Sequence, residues 1–132
     1  MSSSSDGKTR SAVTRIPIDA TTSPVDHFLS GIGVDPTTSG ANAHRTVVYY
    51  DDPTAKCTAS TCQLDVGFTT SIDGGATWTG GVRLAGPMKA GRLSDNGPMV
   101  ADHIGVSHSN GNPFGVFAGA QALTGTTYNE SM

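Results

Sequence analysis

The sequence is poor in charge, in lysine and in long hydrophobic runs. Charged residues make up 14% of its 132 positions, and the formal net charge at pH 7 is -3. Such a chain lacks the basic surface that binds nucleic-acid phosphates. No apolar run approaches the roughly 20 residues that a membrane-spanning helix needs. The composition therefore predicts neither a nucleic-acid partner nor a membrane partner.

The serine-rich start of the chain, residues 1–11, lacks the apolar core that a secretory signal contains. Because almost nothing in it can be buried, we expect a disordered tail there. With no export signal in the sequence, the residues themselves leave the cellular compartment open.

Helical patterning is absent as well. No segment has sustained apolar spacing at the helical period, and glutamate, a good helix former, occurs once, at Glu130. Glycine, serine and threonine dominate instead. These features predict an all-β protein.

Runs of β-branched and aromatic residues, separated by turn-forming residues, predict the order of the strands. Residues 12–18 alternate and contain Pro17 near their end, which suits an outer edge strand. Four further strands are expected at 27–34, 45–50, 63–70 and 79–84. After a connection rich in glycine and proline, three more are expected at 99–107, 113–118 and 126–132.

There are two cysteines, Cys57 and Cys62, in a polar stretch between two predicted strands. A disulfide between them would close a hairpin loop and would suit an extracellular protein. Two free thiols are the first alternative. A metal pair is the second, and it is disfavoured because no other cysteine completes a thiolate site.

The stretch 71–78 is the most specific pattern in the sequence. Ser71 and Asp73 can accept bonds from backbone N–H groups of a turn, and Gly74 and Gly75 tolerate the positive φ angles of tight hairpins. Trp78 can pack back beneath the loop. The pattern predicts a hairpin turn with a structural task.

This Ser-x-Asp-x-Gly-x-Thr-Trp pattern, with Ser71, Asp73, Gly75 and Trp78, resembles the Asp-box, or bacterial neuraminidase repeat, of sialidase-like β-propellers. The segments 15–36, 62–78 and 97–102 also resemble secreted actinobacterial proteins described as exo-α-sialidase-like. The resemblance covers the chain from about residue 12 onward. It implies a propeller fold and a secreted location, and it is a weak guide to the substrate.

A propeller requires at least about four blades of four strands, so this chain is too short to close a ring alone. Residues 12–132 amount to about two blades: an outer strand at 12–18, a full blade at 27–84 and a partial blade at 99–132. The strand 12–18 would complete the partial blade of a neighbouring copy, because unpaired edges are costly. Head-to-tail contacts close into cyclic oligomers. We therefore expect a homotrimer with six blades, with four or five copies as lesser alternatives.

The central channel of such a ring is the expected site. Both predicted innermost strands start with the same pair, Asp26-His27 and Asp102-His103. Six such pairs around an axis would gather imidazoles and carboxylates for acid–base catalysis. They could also bind a divalent metal, zinc or calcium, through His27, His103 and Asp102. The competing interpretation is structural, since neighbouring strand residues face opposite sides.

The predicted function is hydrolysis of ester, phosphoester or glycoside bonds with low specificity, assisted by a metal if one binds. The alternative is a non-catalytic propeller fragment that serves as a scaffold or binds a small molecule or carbohydrate, with exposed Tyr49, Tyr50 and Trp78 as stacking surfaces. Asp51-Asp52 precedes Pro53 and is interpreted as a turn cap rather than as paired catalytic carboxylates.

True sialidase chemistry is disfavoured. Arg15-Ile16-Pro17 resembles the sialidase tripeptide whose arginine binds a carboxylate, and Tyr128 and Glu130 share a strand face. Nothing in the sequence brings three arginines together, however, and both features are assigned to strands away from the axis.

Overall fold

A computed structural model describes residues 1–54, 57–58, 61–89, 103–121, 124–127 and 130–132. Within these ranges the regular structure consists of antiparallel strands and a short 3-10 helix at Gly40–Asn42. The all-β class expected from composition is confirmed. No helix in the described ranges is long and apolar enough to cross a membrane.

The first half of the chain forms a four-stranded antiparallel sheet. Its strands are β1 (Asp26–Val34), β2 (Arg45–Asp52), β3 (Gln63–Ser71) and β4 (Val82–Lys89), and they lie in that order across the sheet. The expected strands 27–34, 45–50 and 63–70 match β1, β2 and β3 within two residues. The fourth was expected at 79–84, but β4 runs from 82 to 89.

The second half forms shorter ladders. β5 (Gly105–Ser109) and β6 (Asn112–Val116) make a hairpin, and β7 (Gly119–Ala120) pairs with β8 (Glu130–Ser131). Both turn residues of the hairpin, Asn110 and Gly111, have positive φ, as a type I′ turn requires. The expected strands at 99–107, 113–118 and 126–132 appear only in part, and residues 99–102 lie outside the described ranges.

The β5–β6 hairpin stacks on one face of the four-stranded sheet, here called the inner face. A Cβ at Gly33 of β1 would lie 2.7 Å from Val106 Cγ1, and a Cβ at Gly31 would lie 3.1 Å from the Ile104 carbonyl oxygen. Gly115 of β6 leaves room in the same way for Val48 of β2. Glycine at these positions lets the two layers approach closely.

The core lies between these two layers. Its buried members come from β2, β3 and β4 and from the segment between β6 and β7: Val48, Tyr50, Leu64, Val66, Met88 and Ala118. Tyr50 is fully buried, and its hydroxyl donates to the Ala118 carbonyl oxygen at 2.8 Å and accepts from the Ala118 N–H at 3.0 Å. The one polar atom of this large side chain is therefore satisfied inside the core.

The N-terminal segment follows a course that the sequence analysis did not expect. Residues 12–18 form no strand; Thr14 exchanges backbone hydrogen bonds with Met1, and Ser11 donates to Ser3. Ile18 lies beside Gly81, so the segment packs against its own chain. The exchange of this segment onto a neighbouring copy, like the disorder expected for 1–11, stays a prediction.

Candidate functional site

The turn after β3 has a dense hydrogen-bond network. Ser71 Oγ accepts from the N–H of Gly75 at 2.8 Å and donates to Asp73 Oδ1, which accepts from the N–H of Thr77. Trp78 Nε1 donates to the Gly75 carbonyl oxygen at 3.1 Å. Bonds from Thr77 lower the pKa of Asp73 to about 2. Every polar group named here is engaged within the turn, so the geometry supports a structural task.

Three of the four residues expected at a central channel, Asp26, His27 and His103, lie in the described part of the chain. Asp26 is exposed on β1, and alternation points it away from the face that carries His27. His103 is exposed just before β5, and Asp102 lies outside the described residues. The proposed ring of these four residues stays a prediction.

Cys57 and Cys62 form a disulfide, with 4.9 Å between their Cα atoms. Asp52 Oδ2 lies 2.7 Å from Cys57 Sγ, but a disulfide sulfur carries no proton, so this contact is no hydrogen bond. Asp52, Cys57 and Cys62 are the one group of three potential metal ligands among the described residues. With both sulfurs in a disulfide, the thiolates that such a site needs are missing.

A different set of polar residues lies together on the opposite, outer face of the sheet. His27 on β1 lies directly opposite Asp51 on β2, and Asp51 lies directly opposite Asp65 on β3. Arg83 on β4 completes the row, because its Nη1 donates to Asp65 Oδ2 at 3.2 Å. One polar row thus runs across all four strands.

The row borders a cavity of about 240 Å³. Besides the row, its polar lining includes Tyr49 and Asp19, and Ile18, Val25 and Val82 provide apolar wall. The ring of Tyr49 lies over Gly67, where any Cβ would overlap it, and meets the His27 ring edge-on at a centroid distance of 5.3 Å. Strand alternation explains the gathering, since Tyr49 and Asp51 are two residues apart.

The N-terminal segment supplies one wall of this cavity. Asp19 Oδ2 lies 3.9 Å from His27 Nε2, and Asp19 Oδ1 accepts from Arg15 Nη2 at 2.6 Å. The Ser23 hydroxyl, followed by His27 and Arg15, lowers the pKa of Asp19. Asp19 is therefore an ionised neighbour of the His27 imidazole at neutral pH.

The two facing carboxyl groups have different surroundings. Burial, together with the negative charge of Asp65, raises the pKa of Asp51, while His27 and Arg83 oppose the shift. Asp65 is 9% exposed and has Arg83 as its charged partner; its Oδ1 is buried without a hydrogen-bond partner among the described residues. The arrangement thus favours the protonated form of Asp51 and places an arginine beside Asp65.

Burial also raises the pKa of Tyr49 to about 12, with Asp51 and Asp19 adding to the effect. The phenol is therefore neutral over the whole physiological range. Tyr49 can donate a hydrogen bond in this cavity, but it does not supply a phenolate nucleophile there.

Three expectations about site residues need correction. Asp51 and Asp52 belong to β2, and although Asp52 Oδ1 does accept from the Thr54 N–H at 2.9 Å, Asp51 faces the cavity. Tyr49 and Tyr50 are buried, at 4% and 0% exposure, so neither offers a stacking surface. The reason is the same in each case: β2 continues to residue 52 as a central strand, and both of its faces are covered.

Of Arg15, Tyr128 and Glu130, considered above for sialidase chemistry, the structure describes the side chain of Arg15. Arg15 is paired with Asp19. Tyr128 lies outside the described residues, as does the side chain of Glu130. One signal in the sequence could have revealed the observed site. By two-residue alternation Tyr49 and Asp51 share one face of β2, and Asp65 and Gly67 share one face of β3.

Comparisons with protein-family models, with curated proteins and with solved structures give no match to this chain. The sialidase-like resemblance therefore rests on the sequence motifs alone, and the function must be argued from the cavity.

Proposed function

We propose that this protein is a hydrolase of glycosidic bonds, with its site in the cavity on the outer face of the four-stranded sheet. The observation that carries the proposal is the facing pair Asp51 and Asp65, in which burial favours the acid form of one carboxyl and an arginine accompanies the other. Two carboxyl groups in different electrostatic surroundings are the usual catalytic residues of glycoside hydrolysis.

Asp51 acts as the general acid. It donates its proton to the glycosidic oxygen as the bond from that oxygen to the anomeric carbon breaks. The alcohol leaves with this proton, so the leaving group departs neutral. His27, directly opposite Asp51, opposes the rise of its pKa and so limits how far the acid form extends above the ordinary carboxyl range.

Asp65 acts as the nucleophile. Directly opposite residues of an antiparallel pair have Cβ atoms about 4.5–5.5 Å apart, which suits the close carboxyl spacing of roughly 5–5.5 Å in retaining glycosidases. The Asp65 carboxylate forms an ester with the anomeric carbon. Water then cleaves this ester while the Asp51 carboxylate accepts the proton of that water, which restores both groups.

We propose in addition that copies of the chain assemble head to tail, with a homotrimer of six blades as the expected closure. Exposed apolar side chains at the two ends of the layered structure support this: Ile32 and Val34 on the outer face of β1, and Phe114 and Val116 on the exposed face of the hairpin. Unpartnered apolar sheet faces of this kind favour association. In that assembly the cavity would lie near the junction of two copies.

The test is hydrolysis of a panel of 4-nitrophenyl glycosides in both anomeric forms, with 4-nitrophenyl acetate and phosphate alongside. D51N and D65N should each lower kcat by at least about 100-fold, the usual contribution of a positioned acid or base. D52N is the matched control, because Asp52 is the same residue type one position on and faces the other way; it should keep the activity.

Two results would redirect the assignment. Loss of activity in D26N or H103A, with D51N unaffected, would favour the central channel, and stoichiometric zinc or calcium in the purified protein would support its metal-assisted form. Sugar binding without any hydrolysis would favour the non-catalytic carbohydrate-binding alternative and would overturn the roles of Asp51 and Asp65.

A further inference from the structure

The charges around the cavity indicate which class of sugar it takes. Three carboxyl groups line it, those of Asp19, Asp51 and Asp65. Arg83 is the arginine among its lining residues, and its guanidinium already donates to Asp65. Arg15, the other arginine nearby, already donates to Asp19 through Nη2 and to the Asp19 carbonyl oxygen through Nη1.

Both cations are thus already paired with carboxylates of the same cavity. A ligand that carries its own carboxylate would have to share Arg15 with Asp19, at 2.6 Å, or Arg83 with Asp65, at 3.2 Å. It would also lie close to the ionised carboxylate of Asp19, which lines the same cavity. Like charges this close to one another repel near a protein surface.

The other polar groups of the cavity suit a ligand rich in hydroxyl groups. Carboxylate oxygens accept hydrogen bonds, and the Tyr49 phenol, which stays protonated, both donates and accepts. Ile18, Val25 and Val82 add apolar surface against which the carbon face of a ring can pack. The volume of about 240 Å³ lies below the roughly 300–1,000 Å³ of sites for drug-sized ligands, so it suits a single ring.

We propose that the cavity takes an uncharged sugar ring and excludes acidic sugars, including those of the sialic acid type. This inference rests on the proposed function, because it names the substrate class of the same site. It also agrees with the sequence analysis, in which sialidase chemistry is disfavoured.

A cationic amino sugar is the informative intermediate case. Its ammonium group would pair with Asp51 and favour the ionised form of that carboxyl, which removes the proton that the leaving group needs. An amino sugar should therefore bind, and release a proton as it binds, without being turned over.

The experiment measures binding by isothermal titration calorimetry to the full chain, with galactose, galactosamine and galacturonic acid, and with the matching glucose series. The neutral sugar should bind at least about tenfold more tightly than the acidic one. D19N should narrow this ratio, because it removes one carboxylate and releases Arg15. R15Q, which removes a cation from the same pair, should not narrow it, and circular dichroism checks that both variants are folded.

The outcomes separate this inference from the proposed function. Binding of galacturonic acid as tightly as galactose would overturn the charge selection, even if neutral glycosides are cleaved. Failure of every sugar to bind would overturn it too. Preference for the neutral sugar without hydrolysis would sustain the charge selection and overturn the hydrolase.

Discussion

Asp51 on β2 lies directly opposite Asp65 on β3, with both carboxyl groups beside one cavity. Like charges directly opposite in a sheet destabilise it. The same sheet provides partial compensation on both sides, from His27 on β1 and from Arg83 on β4. A pair of facing carboxyl groups whose repulsion is only partly compensated by neighbouring cationic groups is typical of a catalytic site.

The pH dependence of hydrolysis should move in opposite directions in two variants. Activity requires protonated Asp51, so it should fall as pH rises through the raised pKa of this group. D52N keeps the activity but removes a negative charge that raises that pKa, so it should shift the alkaline limb to lower pH. R83Q removes a positive charge that lowers the pKa of Asp51, so the alkaline limb should shift to higher pH. The measurement is kcat/KM against pH, and equal limbs in both variants would exclude Asp51 as the acid.

The free energy of unfolding should rise when Asp51 loses its charge. Because its folded pKa lies above its unfolded value, Asp51 costs nothing below the unfolded pKa; its destabilising effect grows as pH rises from there and is complete above the folded pKa. D51N should thus be more stable at pH 7 by roughly 0.2–1 kcal/mol, the size of a cross-strand pair effect. Urea unfolding at pH 7 and pH 3 measures this, and an equal gain at both pH values would contradict the electrostatic cause.

Tyr50→Phe should lower stability by about 1–3 kcal/mol. The phenol oxygen bonds both the N–H and the carbonyl oxygen of Ala118, and its removal leaves these groups unsatisfied in the core. Thermal unfolding followed by circular dichroism measures the loss. Ile72→Ala, at an exposed site in the turn after β3, is the control and should change stability little.

The contact between the two layers depends on Gly33. Gly33→Ala would place a methyl group 2.7 Å from Val106 Cγ1 and 2.9 Å from the Val106 carbonyl oxygen. The layers would have to separate, at a cost of about 1–3 kcal/mol. Gly105→Ala is the matched control, since a Cβ there meets nothing within 4 Å. Similar urea midpoints for the two variants would contradict this packing.

The head-to-tail assembly predicts a mass in solution of about three times 13.5 kDa. Phe114→Asp should convert the oligomer to smaller species, because a charge on the apolar face of the hairpin opposes its burial. Ile72→Asp changes an equally exposed apolar residue in the turn after β3 and should leave the mass unchanged. Light scattering coupled to size-exclusion chromatography distinguishes the cases, and a folded monomer of the unmodified chain would rule out the assembly.

The residues alone were enough for three of the four strands of the first sheet. Alternation and β-branched runs locate β1, β2 and β3 because each of these strands has a partner beside it in sequence, so local pattern and final pairing agree. The short strand β7 was not expected, and of the strand expected at 126–132 the described residues show β8 at Glu130–Ser131. The pairing of β7 with β8 depends on contacts between distant parts of the chain, which the local sequence pattern does not reveal.

The site is where the sequence analysis was incomplete. His27 was singled out, but as the partner of Asp26, His103 and Asp102, and Asp51 was assigned to a turn. The partners that the fold provides, Asp51 and Asp65, come from two other strands, and Asp19 comes from the N-terminal segment, to which no site residue was assigned. Pairwise register across strands decides such neighbours, and sequence spacing does not encode it.

What the sequence by itself determined is therefore the all-β character and three of the four strands of the first sheet, because these follow from residue propensity and from two-residue alternation. Only the tertiary structure decided which polar side chains meet. It set the register that aligns His27, Asp51 and Asp65, and it brought Ile18 and Asp19 onto the same face, since burial and long-range pairing act between residues that are far apart in the chain.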